Sequence, residues 1–340
     1  MSLDKLESIL ASEPKYRLVQ AKTAVFKNLV ENWSEVSGFP PQLREKLNEA
    51  CPLEIKGNVL QSDDGGETLK ALITLSDGLK IESVLMCHEG DSDGKGKRNT
   101  VCVSCQVGGP MGCSFCATGA MGLRRNLAVM EIVQQVLFFD RILKKKNEHV
   151  SGIVFMGMGE PFLNYDNVLA AVRIFNDKDG LNIGARKISI STCGIIEGIK
   201  KMSEESLQVN LAISLHAPDT DLRSKLMPVN KKYSLNEVLN AVNDYIEKTS
   251  RRVMFEYLLI KDVNDTAEHA RKLASIMHKP LYFVNLILFN PSGKEGMQPS
   301  SAASVKRFKE ILEKAGVPVS QRYRFGRKIK AACGQLVFEA

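Results

Sequence analysis

The chain has 340 residues, 44% hydrophobic and 25% charged, with 46 Lys plus Arg against 39 acids and a formal net charge of +7. That length and mixture exclude collagen-like, low-complexity and wholly disordered chains, and they allow one large domain or two ordinary ones. The basic excess permits a polyanionic partner without requiring one.

Residues 1–52 read as a small helical module. Leu3, Leu6 and Leu10 share one face, as do Leu18, Val25, Phe26 and Leu29, before Ser37-Gly38-Phe39-Pro40-Pro41 breaks the pattern and 42–50 forms another helix. Residues 53–99 change character. Leu69, Ala71, Ile73 and Leu75, then Leu79, Ile81, Ser83 and Leu85, alternate on either side of Ser76-Asp77-Gly78, which predicts a β-hairpin. A polar, glycine-rich loop follows over 88–99.

From residue 100 the pattern alternates. Predicted strands cover 152–156, 187–192, 209–215, 253–260, 284–289 and 320–325. Predicted helices cover 128–145, 165–176, 197–203, 234–248, 266–277 and 304–314. Near-continuous apolar strands between helices imply a parallel sheet covered by helices, and the count suits an α/β fold with a partial or full βα barrel over 100–340. Sites in such folds lie at the carboxyl ends of the strands. Here those ends carry Gly159-Glu160, Ser191-Thr192, Ser214-Leu215-His216 and Asn290.

No stretch approaches the roughly 20 apolar residues that span a bilayer. The segment Met1-Ser2-Leu3-Asp4-Lys5-Leu6-Glu7 lacks a basic region followed by an apolar one, so a cytoplasmic location with no membrane partner is expected. Basic residues cluster at Arg322-Tyr323-Arg324-Phe325-Gly326-Arg327-Lys328-Ile329-Lys330, where interleaved aromatics suit a nucleic acid.

Eight cysteines stand at 51, 87, 102, 105, 113, 116, 193 and 333, four of them within 102–116. Clustering of this kind points to metal binding or redox chemistry. Cys113-Ser114-Phe115-Cys116 alone suits a zinc half-site, a redox pair or an iron–sulfur ligand pair. No second Cys or His pair follows at zinc spacing, and the many glycines around it suit a loop that wraps an inorganic cluster closely. Cys51, Cys87 and Cys193 are expected only to pack.

The chain resembles the radical S-adenosylmethionine RNA methyltransferases that act on carbon 2 of adenine. The matching segments are Val101-Cys102-Val103-Ser104-Cys105-Gln106-Val107-Gly108, Cys113-Ser114-Phe115-Cys116-Ala117-Thr118-Gly119 and Leu123-Arg124-Arg125-Asn126-Leu127. Then come Phe155-Met156-Gly157-Met158-Gly159-Glu160-Pro161, Ser191-Thr192-Cys193-Gly194, Ala212-Ile213-Ser214-Leu215-His216-Ala217-Pro218, Phe289-Asn290-Pro291 and Ala331-Ala332-Cys333-Gly334-Gln335-Leu336. They run in order along nearly the whole chain.

The resemblance implies a TIM-like partial barrel as the radical core, an N-terminal module that helps bind RNA, a 4Fe-4S cluster, and S-adenosylmethionine as methyl donor and radical source. It implies Cys333 as an S-methylcysteine carrier, Glu82 as proton acceptor, and Cys102 as the thiol that closes a transient disulfide with Cys333. Gly159, Glu160, Ser191, Ser214, Leu215, His216 and Asn290 take the cofactor-contacting positions, and Cys113 and Cys116 are cluster ligands. The expected substrates are 23S rRNA and the tRNA adenosine 3′ to the anticodon. A flavodoxin or ferredoxin is the expected electron donor, and the chain is expected to be a monomer. The implied reaction fits the base: carbon 2 of adenine is electron-poor and does not attack a sulfonium methyl, whereas a radical route with a covalent handle avoids that barrier.

One position departs from the family. Its ligand motif is Cys-x3-Cys-x2-Cys, and here Gly109 stands where the first cysteine belongs. Either the cluster keeps only two thiolates, or Cys105 substitutes by refolding the loop. On an alternating strand Glu82 reads equally as a solvent-facing residue. Two further alternatives stay open: methylation of another carbon of the same adenine, and an RNA-binding relative deficient in the cluster.

Overall fold

The computed structural model describes residues 1–62, 67–90, 97–291, 296–322, 326, 329–331 and 334–336. Helices α1 (Leu3–Leu10), α2 (Tyr16–Phe26) and α3 (Pro41–Ala50) form the N-terminal module. They close over Leu6, Leu10, Leu47 and the fully buried Trp33, whose indole N–H donates to the Cys51 carbonyl at 2.8 Å.

Strands β1 (Lys56–Ser62), β2 (Thr68–Thr74), β3 (Lys80–His88) and β4 (Arg98–Cys102) form an antiparallel meander. The turn between β2 and β3 needs a left-handed residue, which Gly78 supplies at φ +83°. After β4 come the short strands β5 (Gln106–Gly109) and β6 (Gly122–Asn126), paired with each other. The alternating part follows: α4 (Val129–Lys144), β7 (Gly152–Phe155), α5 (Tyr165–Asn176), β8 (Ile188–Thr192), α6 (Ile196–Glu204) and β9 (Asn210–Ser214). It continues through α7 (Thr220–Leu226), α8 (Leu235–Thr249), β10 (Val253–Leu259), α9 (Ala267–Ile276), β11 (Tyr282–Leu288), α10 (Ala302–Lys314) and β12 (Val319–Gln321).

The hairpin and the barrel share one sheet. The strand order is β1-β2-β3-β4-β7-β8-β9-β10-β11-β12, antiparallel through β4 and parallel from β4 onward. The boundary expected at residue 99 therefore falls inside β4. Buried Ile153, Ile188, Ile190, Leu211, Ile213, Val253, Phe255, Val284 and Leu286 make one face of the parallel strands apolar, the face the helices cover, while the lumen face also carries polar residues. The N-terminal module is tied on by Arg141 of α4, which donates to the carbonyls of Val30 and Leu53 at 2.6 and 3.0 Å. Among the described residues no helix is long and apolar enough to cross a membrane.

The predicted elements of the barrel match within a few residues, save that 323–325 of the last predicted strand lie outside the described residues and β12 covers Val319–Gln321. Four strands, β1 and β4 to β6, and the helix α7 escaped the sequence reading. β1 is an exposed edge with Lys56, Gly57, Asn58 and Gln61 in place of an apolar alternation.

Candidate active site

The carboxyl ends of the strands and the loop after β5 surround one cavity. It is lined by Gly109, Cys113 and Cys116 from that loop, by Gly159 and Glu160 after β7, and by Ser191, Ser214 and His216 after or at the ends of β8 and β9. Of the residues expected to contact a cofactor, Leu215 and Asn290 do not line it. Leu215 is fully buried, with its amide on the Glu256 carbonyl, and the Asn290 side chain turns back to the Leu288 carbonyl at 3.2 Å.

The turn after β7 is forced by packing. Gly159 has φ +100°, and a Cβ there would sit 2.6 Å from the Gln106 Cβ; a Cβ on Gly157 would meet the Val103 carbonyl oxygen at 2.7 Å. The close approach drops Glu160 into the cavity wall, where its carboxylate accepts the amides of Phe162 at 3.0 Å and Cys193 at 2.8 Å. Burial raises its pKa, and those amide donors oppose the rise. The Ser191 and Ser214 hydroxyls stand 3.3 Å apart on adjacent strands.

His216 is held neutral, its pKa driven down to about 3 by burial and by Arg223. Its Nδ1 accepts the Leu258 amide at 3.0 Å, which puts the ring proton on Nε2, and its ring meets Phe115 edge-on.

The two loop thiols are set by contacts from two directions. The Ser114 amide donates to the Leu226 carbonyl and the Ala117 amide to the Gly334 carbonyl, each at 2.9 Å, so α7 and the C-terminal segment both grip the loop. Burial, and then the neighbouring Cys116, pushes the Cys113 thiol up to about 12.

A 4Fe-4S cluster that leaves one iron open for S-adenosylmethionine needs three thiolates. The donor set here is one short. Gly109 reaches the same cavity but offers no ligand, and among the described residues no three Cys, His, Asp or Glu side chains gather as a metal site. Cys105 does not fill the gap: it is 2% exposed, lies off the cavity, and directs Sγ at the Met158 carbonyl at 3.6 Å. Serving as the third ligand would require this loop to refold. Its backbone is pinned as well: the Cys105 amide donates to the Met158 carbonyl at 2.9 Å and its carbonyl accepts the Leu127 amide at 3.1 Å.

Glu82 is buried, contrary to the solvent-facing alternative. Its carboxylate is ion-paired with Lys70 Nζ at 2.9 Å, and Lys70 also reaches the Lys330 carbonyl at 3.4 Å. Val84 pairs directly with Cys102, so Glu82 and Cys102 share one sheet face as diagonal neighbours. Cys333 lies outside the described residues, as do Arg324 and Arg327. Arg322 is described; it lines a second cavity of the barrel, and its Nη1 lies 3.0 Å from the Sδ of Met156, a residue common to both cavities.

Two residues were missed in the sequence. Arg223 of α7 is fully buried and donates to the Asn230 side chain and the Cys193 carbonyl, both at 2.7 Å. Cys193, expected only to pack, lines the cavity 3.1 Å from Met111 Sδ.

Residues 103–274 match the radical SAM superfamily. The chain is 45% identical over 336 residues to a protein of Dictyoglomus thermophilum named "Probable dual-specificity RNA methyltransferase RlmN", covering 98% of this chain and 94% of the relative. It is 43% identical over 327 residues to the "Ribosomal RNA large subunit methyltransferase N" of Nitrosopumilus maritimus, covering 95% and 92%. Among solved structures, a radical SAM methyltransferase from Sphaerobacter thermophilus aligns with a TM-score of 0.91 at 42% identity, covering 99% of this chain and 97% of that one.

Proposed function

The chain belongs to the radical SAM family of RNA methyltransferases, and on that premise we propose that it methylates carbon 2 of an adenosine in 23S rRNA and of the adenosine 3′ to the anticodon in tRNA. Enzymes of this family use a 4Fe-4S cluster and S-adenosylmethionine. Ser191, Ser214, His216 and the Gly159-Glu160 turn would hold S-adenosylmethionine, with Cys113 and Cys116 lining the same cavity. Among the described residues that set is one thiolate short of the three that such a cluster needs.

The observation that carries the reading is the placement of Glu82 and Cys102 on one sheet face, beneath the segment that leads to Cys333. Cys333 would take a methyl group from one S-adenosylmethionine, and the radical that a second S-adenosylmethionine supplies in this family would remove one hydrogen atom from it, so that the carbon can add to adenine carbon 2. As one electron leaves the adduct, Glu82 would accept the proton from carbon 2. The Cys102 thiol would then attack the Cys333 sulfur, giving up its proton, so that the sulfur–carbon bond breaks, the freed carbon takes a proton to become the methyl group, and a disulfide closes. Lys70 orients Glu82 and, through the Lys330 carbonyl, ties it to the chain that carries Cys333. Loop adenines suit this site because they are splayed out at lower cost than paired ones.

Gly109 favours one second reading, an RNA-binding relative without catalysis. Retention of Cys102, Cys333 and Glu82 opposes it, since a binder has no chemical need of them. We further propose a cytoplasmic monomer served by flavodoxin or ferredoxin. The test is Cys102→Ala with RNA and S-adenosylmethionine under reducing, anaerobic conditions. Mass spectrometry should find a covalent protein–RNA adduct at Cys333; normal release of methylated RNA would remove Cys102 from the reaction.

A further inference from the structure

The barrel holds a second cavity at the amino ends of its parallel strands, opposite the candidate active site. It encloses about 670 Å³, inside the roughly 300–1,000 Å³ range of ligand pockets. βα barrels ordinarily fill this region with branched aliphatic side chains. Here a polar row replaces them. Glu256, Asn285 and Ser320 are in register on β10, β11 and β12; Asn285 Nδ2 donates to the Glu256 carboxylate at 2.9 Å, and the Ser320 hydroxyl donates to Asn285 Oδ1 at 2.9 Å.

Four cations from distant parts of the chain converge on the space: Arg98, Arg186, Lys187 and Arg322. Arg98 Nη2 meets the His88 ring at 3.3 Å, and Arg186 Nε donates to the Gln208 side chain at 2.8 Å, so each of these contacts is to a residue other than an acid. Lys97, at the rim, differs in being ion-paired to Glu148. Among the described lining residues Glu256 is the one acid, buried beside Arg322 with its pKa raised by desolvation. His88 reports the local potential: burial first, then Arg98 and Arg322, push its pKa down. Guanidinium forks match phosphate oxygens, and the space exceeds what a bare ion needs.

We propose that this cavity binds a phosphate-bearing ligand of nucleotide size, with Arg98, Arg186, Lys187 and Arg322 contacting the phosphate and Asn285 and Ser320 offering polar groups to the rest. The shared chemistry is a nucleotide phosphate, supplied either by a free nucleotide or by an RNA strand. The site rests on charge and cavity alone, and it stands whether or not the chain methylates RNA.

The whole chain is titrated at low salt with pyrophosphate and with AMP, then again as Arg186→Ala/Lys187→Ala and as Arg98→Ala. All three side chains are exposed, so the variants keep the fold, which an unchanged ligand-free melting temperature checks. Saturable binding of both probes, a raised melting temperature with ligand, and at least tenfold weaker binding in both variants are expected. Displacement of a labelled single-stranded RNA by pyrophosphate assigns the phosphate to RNA; independent binding of the two assigns it to a free nucleotide. Absence of saturable binding, or wild-type affinity in both variants, overturns the proposal.

Discussion

Lys70 and Glu82 form an ion pair 2.9 Å long inside the protein, with side chains 9% and 4% exposed. Removing one member of such a pair strands the other charge in the interior, at about 3–5 kcal/mol. Lys70→Met should therefore lower stability by roughly 3 kcal/mol in urea unfolding, and Lys70→Met/Glu82→Leu should recover much of it. A loss in Lys70→Met below about 1 kcal/mol would show that the pair contributes no more than a surface ion pair.

His216 gives the protein an acid-sensitive term. Its pKa is 6.5 unfolded and about 3 in the fold, so the unfolded chain binds the extra proton first. The stabilisation is fully present above about pH 6.5 and is lost as pH falls toward 3, by up to about 1.4 kcal/mol per pH unit. Between pH 6.5 and 5 the wild type should lose about 1–2 kcal/mol more than His216→Gln. Parallel pH profiles for the two proteins would place the proton elsewhere.

Arg223 holds the wall of the active-site cavity together. Arg223→Met removes the donors to the Cys193 carbonyl and the Asn230 side chain, leaving two buried acceptors to find other partners. A cost of roughly 3 kcal/mol is expected from the urea midpoint. Unchanged stability would mean that the apolar replacement packs as well as the hydrogen-bonded cation.

The cluster loop separates two substitutions. Gly109 has an ordinary φ, and an added Cβ would meet the Thr118 methyl at 3.3 Å, a contact that a small shift relieves. Gly109→Cys should raise iron and sulfide content after anaerobic reconstitution and raise cleavage of S-adenosylmethionine. Cys105→Ser, which alters a thiol that does not line the cavity, should change neither. Loss of iron in Cys105→Ser would reinstate Cys105 as a ligand and contradict the geometry of this loop.

The barrel was legible because its strands are apolar runs and its helices have apolar stripes, and both signals are local. The loop thiols and the Ser191, Ser214 and His216 strand ends were legible for a related reason: a strand end fixes the position of its own residue. The burial of Glu82 was not, because alternation in β3 is silent about Lys70 across the sheet. Arg223 looks like an ordinary solvated residue of a short helix, and only the fold turns it toward Cys193. The lower cavity was hidden similarly, since Arg98, Arg186, Lys187 and Arg322 meet only when the sheet curls. Arg322, expected beside the target base, lines that cavity and meets Met156, because β12 stops level with Leu286, short of the end of β11.

The most direct test of the methylation reading is nucleoside mass spectrometry of 23S rRNA fragments and tRNA after incubation with S-adenosylmethionine and a one-electron reductant. Wild type and Gly109→Cys are compared after identical reconstitution. The account predicts 2-methyladenosine from both, formed slowly by the wild type and faster by Gly109→Cys. Methylation at another carbon of adenine, or no methylated adenosine from Gly109→Cys carrying a full cluster, would contradict it.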